Sequence, residues 1–162
     1  MGRGLSELQV KLLQMSLDEK ALYQVHKNDP EIMKQAAEAK AKNSHHDLER
    51  ISYEFHIPEC EEGWVYFDEA LVKLWGFKPI TDKYGLIEKY RCSWRSSRRL
   101  KFSKNLIGIK QYYKAKVALQ KSIERLEKRG LIIVNWSLDY HCFKITEEGE
   151  KVMIAKTEKL AR

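Results

Sequence analysis

Long apolar runs are missing from this 162-residue chain: nowhere do 18 apolar residues follow one another, so no membrane-spanning helix is expected. The N-terminus lacks the charged-then-apolar pattern of a secretory signal, and a cytoplasmic location is the expectation. Cysteine is scarce and odd in number. Cys60, Cys92 and Cys142 stand far apart, which excludes a disulfide framework and suits reduced thiols. The eight glycines are scattered, so no glycine-rich loop can cradle a phosphate. No C-x-x-C or H-x-x-x-H pair occurs, and the adjacent His45 and His46 point to different helix faces, so no metal site is expected. Nor does any motif link a Ser or Cys to a His and an acid. Asp47, Glu49, Glu54 and Glu59 are acids of the sort that helices expose to solvent. Neither an enzyme nor a bound cofactor is expected.

What is present is the make-up of a soluble globular protein, with 43% hydrophobic and 33% charged residues. The length suits one domain with helical extensions, large enough to bury roughly two thirds of its unfolded surface. The net charge is +7, and it is unevenly spread. Residues 89–129 hold 14 Lys and Arg against two acids, a balance of +12, while the rest of the chain stands at −5. A solvated surface with no partner mixes its signs. A segregated one points to a polyanion.

Along the chain, Ser6 is a candidate N-cap for a first helix reaching about His26, with Leu8, Leu12, Leu13 and Met15 on its apolar side. Asp29-Pro30-Glu31 signals a second helix, with Pro30 in its first turn, running to about Phe55 with a break at Asn43-Ser44. Trp64-Val65-Tyr66 reads as a short extended segment, followed by a helix capped by Asp68 and stopped by Gly76. Residues 77–103 read as a long, partly helical connection containing the basic run 91–104. Helix resumes near Leu106, weakened by Gly108, and the clearest helix spans 114–129. Residues 131–136 are β-branched and aromatic, as a strand should be, and 140–145 form the return strand. Thr146 caps a final helix to about Leu160.

At 100° per residue the 114–129 helix gathers Ala115, Leu119, Ser122, Ile123 and Leu126 on one side. Lys114, Val117, Lys121, Glu124, Arg125 and Lys128 lie opposite. Such a helix fits a major groove, where long cationic or amide side chains reach base edges and phosphates. Lys114, Val117, Ala118, Gln120 and Lys121 are the candidate base readers, Val117 through a thymine methyl. Lys116 stands in the same half, and Arg125 and Lys128 are placed for phosphate.

The segment 113–132, ending Leu126-Glu127-Lys128-Arg129-Gly130-Leu131-Ile132, resembles the recognition helix of MarR-like winged-helix regulators. Phe143-Lys144-Ile145-Thr146-Glu147-Glu148-Gly149 resembles their strand-to-helix corner after the wing. The resemblance covers about 40 residues and extends more loosely over 67–76. It implies a mostly α fold with a small β-hairpin: a winged helix-turn-helix over 64–152, a helical region over 1–63 and the end of a C-terminal helix over 153–162. It also implies double-stranded DNA as partner, a transcriptional regulator as function, and a homodimer formed through terminal helices.

Two departures qualify the match. The hairpin tip, with Asn135, Ser137, Asp139 and His141, carries no Lys or Arg, so wing contact should be weak. A tight helix-turn-helix needs a turn of about 3–4 residues, yet nearly 40 residues separate Gly76 from Lys114. Either the first helix of the pair lies within 107–112, or a basic insertion adds Arg95, Arg98, Arg99, Lys101 and Lys104 to the footprint. A replication, plasmid or phage protein working at an origin would carry the same signals. A protein-interaction module on the same fold would lack the basic face. Nothing in the sequence identifies a small-molecule effector, although Trp64, Tyr66, Trp75 and Trp136 could line either a pocket or the core.

Overall fold

The computed structural model describes residues 4–44, 47, 63–84, 100–136 and 141–161. Helix α1 (Glu7–Lys27) starts where Ser6 and Gln9 cap each other reciprocally, the Ser6 hydroxyl accepting the Gln9 N–H and the Gln9 amide oxygen accepting the Ser6 N–H. Helix α2 (Pro30–Ala41) starts on Asp29, whose carboxylate accepts the N–H groups of Glu31 and Ile32. It stops at the expected break, where Asn43 takes a positive φ of 52°. The expected continuation toward Phe55 lies outside the described residues.

Strand β1 (Val65–Tyr66) runs directly into helix α3 (Phe67–Trp75). Here one expectation needs correction. The N-cap is Tyr66, and Asp68 sits in the first turn, where its carboxylate accepts the Leu100 N–H at 3.0 Å. Aspartate is favourable there for its charge near the positive helix end as well as for capping, so a motif alone does not separate the two positions. Gly76 ends α3 in the left-handed conformation, at φ 70°.

The described ends of the long connection are extended rather than helical. Pro79 and Phe102 form an isolated antiparallel bridge, and the Ile80 N–H donates to the Lys101 carbonyl at 2.8 Å. A single turn, α4 (Lys104–Ile107), follows, capped by Ser103. Gly108, at φ 101° and ψ 120°, then divides it from α5 (Ile109–Lys128). Helix does resume near Leu106, but Gly108 separates two helices instead of weakening one, and the 114–129 stretch is the greater part of a helix that begins at Ile109. Residues 109–112 belong to α5 itself, which is in contact with both α3 and α4.

Strands β2 (Ile132–Asn135) and β3 (Cys142–Ile145) pair in antiparallel register, with Ile132 opposite Ile145. Strand β1 adds to the other edge of β3, giving the order β1-β3-β2. Thr146 caps helix α6 (Glu147–Ala161): its hydroxyl accepts the Gly149 N–H and donates to the Gly130 carbonyl. The fold is mostly helical with one small antiparallel sheet.

Leu12, Leu13, Val65, Leu71, Leu119, Ile123, Leu126 and Phe143 fill the interior, so α1, α3, α5 and the sheet share one core. Each such side chain contributes about 1.5–3 kcal/mol by leaving water. A buried serine fastens α1 to the sheet. Continuing the β1–β3 register by two residues puts Gly63 opposite Ile145, but a hydroxyl stands between them. Ser16 Oγ accepts the Ile145 N–H at 2.8 Å and donates to the Gly63 carbonyl at 2.7 Å. At the far end of the same pairing, Phe67 N–H donates to the His141 carbonyl directly. Lys20, one turn beyond Ser16, pairs with Glu150 and ties α1 to α6.

Candidate nucleic-acid interface

Helix α5 is divided lengthwise by its own sequence. The five residues expected on the inner side, Ala115, Leu119, Ser122, Ile123 and Leu126, are all buried, and Tyr112 joins them. Lys114, Lys116, Val117, Gln120, Lys121, Arg125 and Lys128 are exposed, and Ala118 is half-buried at the edge. The two acids of the helix are engaged sideways. Glu124 accepts from the Gln120 amide at 3.1 Å, and Glu127 accepts from the Trp136 indole N–H. Among the described residues the ion pairs are Lys11–Glu7, Lys20–Glu150 and Lys151–Glu148, and none involves a cation of α5. The solvent side of the helix thus keeps its positive charge.

At the first turn of α5 an aromatic cluster joins the cations. Lys104 of α4 donates to the Tyr113 phenol at 2.9 Å, and its ammonium lies 5.0 Å and 5.6 Å from the ring centres of Tyr113 and Tyr112. Lys116 lies 5.4 Å from the Tyr112 ring. The Tyr112 and Tyr113 rings meet edge to face at 5.5 Å. The hydrogen bond and charge of Lys104, with a smaller contribution from Lys116, hold the Tyr113 phenol below its ordinary range. Sequence reasoning passed over Tyr113 and Lys110. The available signal was the alternation Lys110, Tyr112-Tyr113, Lys114, Lys116, aromatic groups interleaved with cations.

Of the basic run proposed for the footprint, Lys101 is half-buried and Lys104 exposed, both on the approach to α5. Arg95, Arg98 and Arg99 lie outside the described residues, as do Ser137 and Asp139 of the hairpin tip. Asn135 is half-buried in β2. His141 is exposed but packs between rings, 5.3 Å from Phe67 and 5.6 Å from Trp136. Phe67 and Trp136 themselves meet edge to face at 5.6 Å. The described base of the hairpin is an aromatic joint to α3, apart from the cations of α5.

Trp64 and Tyr66 are half-buried. Trp75 borders an open cleft of about 540 Å³ that Phe77, Pro79, Ile80, Leu106 and Ile107 also line. Among the described residues no cluster of His, Cys, Asp or Glu could hold a metal ion, and no helix is long and apolar enough to cross a membrane. Comparison with protein-family models, with curated proteins and with solved structures finds no match to any of the three.

Proposed function

We propose that this chain is a sequence-specific double-stranded DNA-binding protein of the winged helix-turn-helix kind, a MarR-like transcriptional regulator that seats α5 in the major groove. The observation that carries the reading is the cationic side of α5, exposed along the helix opposite a fully buried apolar side. The element sequence around it supports the same reading. Among the described residues a short strand, three helices (α3, α4 and α5) and a hairpin follow one another, and the first strand closes the sheet in the order β1-β3-β2. In that arrangement α3 supports α5 from behind, and the hairpin flanks the groove as a wing. Lys114, Gln120 and Lys121 are the residues for base edges, and Arg125 and Lys128 those for phosphate. The working form is a homodimer in the cytoplasm. Exposed Leu22 and Val25 on α1, and Ile154 and Leu160 on α6, supply apolar surface for a second copy.

Affinity should come largely from phosphate neutralisation. About six phosphate contacts would lower it roughly a thousandfold between 50 and 200 mM salt. Anisotropy titration of a labelled duplex at several salt concentrations tests this, with the variant Lys121→Glu plus Arg125→Glu as control. The variant is expected to lose binding while keeping its helical circular dichroism. Binding by the parent that ignores salt, or equal affinity in the variant, would overturn the proposal. Selection from a random duplex pool should return a palindrome if a symmetric dimer binds.

A further inference from the structure

Val117 stands at the middle of the exposed side of α5, directly opposite the buried stripe, with half of its surface open to solvent. Lys114 and Lys121, one turn before and after it, flank it on that side, with Gln120 beside them. A β-branched residue is a poorer helix former than alanine, and here it fills no core. Tyr113, one turn earlier and 47% exposed, is its neighbour along the helix surface. The Tyr113 ring is also held in place. Lys104 donates to its hydroxyl, and the buried Tyr112 ring meets it edge to face. The result is an aromatic plate, anchored through its hydroxyl, beside an aliphatic side chain that Lys114 and Lys121 flank.

Cations select a polyanion as the occupant of this surface, and the apolar centre calls for an apolar group on that polyanion. In the major groove the one such group is the 5-methyl of thymine. We infer that Tyr113 and Val117 form a preset reader of thymine methyls, and that the bound duplex carries A·T pairs beneath the first half of α5. This rests on the DNA-binding reading above. A plate ordered before contact loses less side-chain freedom on binding than a mobile one, so its preference should be expressed as affinity.

The test uses the full chain and the duplex recovered by selection from a random pool. Each thymine is replaced in turn by deoxyuridine, which removes only the methyl and keeps the hydrogen-bonding edge. The parent should bind the deoxyuridine duplex more weakly by roughly fourfold per methyl read. Val117→Ala should shrink that ratio, and Val117→Ala with Tyr113→Ala should bring it to about one. Both sites are exposed, so the melting temperature should barely move. Failure to retain any duplex would remove the DNA reading and this inference with it. Salt-dependent binding without a fixed thymine, or with equal affinity for the deoxyuridine duplex, would overturn this inference alone. A ratio unchanged in Val117→Ala and in the double variant would also overturn it. Should the double variant no longer bind, the single variant decides.

Discussion

Ser16→Ala removes one oxygen atom from a position with no exposed surface, and the register of the sheet makes its effect calculable. The hydroxyl stands where a direct Ile145 N–H to Gly63 carbonyl bond would otherwise close the β1–β3 ladder. Its loss strands one buried donor and one buried acceptor. An unpartnered buried polar group costs about 1–3 kcal/mol, and a void the size of a hydroxyl is too small to seat a water with partners of its own. If both groups stay apart, the loss should be about 2–6 kcal/mol. If Gly63 and Ile145 close onto each other it should fall below about 1 kcal/mol. Closure is resisted because the Cβ of residue 16 would remain, one bond from the vacated position, on a helix that packs against both β1 and β3. The larger figure is therefore the expected one. Urea unfolding followed at 222 nm would read it as a lower midpoint at unchanged slope, and a melt as a drop of roughly 5–25 °C. Amide exchange at Ile145 should accelerate more than at Leu119. A midpoint within experimental scatter of the parent, with Ile145 still protected, would refute the bridging role.

Gly149 should be equally intolerant for a steric reason: a Cβ there would come within 2.3 Å of the Leu131 carbonyl oxygen and 2.7 Å of Ile145 Cγ1. That oxygen is already held by the Thr146 N–H, so Gly149→Ala is expected to cost about 3 kcal/mol; a calorimetric melt matching the parent would show that the corner yields. Tyr113 should ionise below the ordinary tyrosine value of 10.0, because the nearby Lys104 ammonium favours phenolate. In Lys104→Met its midpoint should move up toward that value, as followed by NMR of ring-labelled tyrosine, and identical midpoints would sink the assignment.

The parts of the fold that could be read beforehand are those where short-range chemistry decides. Ser6, Asp29, Gly76 and Thr146 begin or end helices through groups within four residues, and periodicity placed the buried side of α5 correctly. What escaped depends on partners distant in sequence. Asp68 reads as a cap until Leu100 arrives to use its carboxylate. Ser16 reads as a neutral helix residue, since nothing near it announces Gly63 and Ile145, which lie 47 and 129 residues away. The division between α4 and α5 was not legible because Gly108 is compatible with a weakened helix and with a break, and only its φ of 101° distinguishes them. At the site, the basic side was legible from charge. Tyr113 was not, because its role comes from Lys104, nine residues back across a helix break.

The two sides of α5 answer to different demands, and this is what makes its outer side available for recognition. Leu119, Ile123 and Leu126 are at most 2% exposed and hold the helix in the core, while Ser16 and Lys20 fasten the sheet and α6 to α1. None of those anchors lies on the cationic side. Exposed cations without ion pairs contribute little to folding, and their mutual repulsion disfavours it slightly. Neutralising Lys114 or Lys121 should therefore leave stability unchanged or raise it marginally. Under the proposed function a duplex major groove would repay that cost, because it matches this side of α5 in both charge and width.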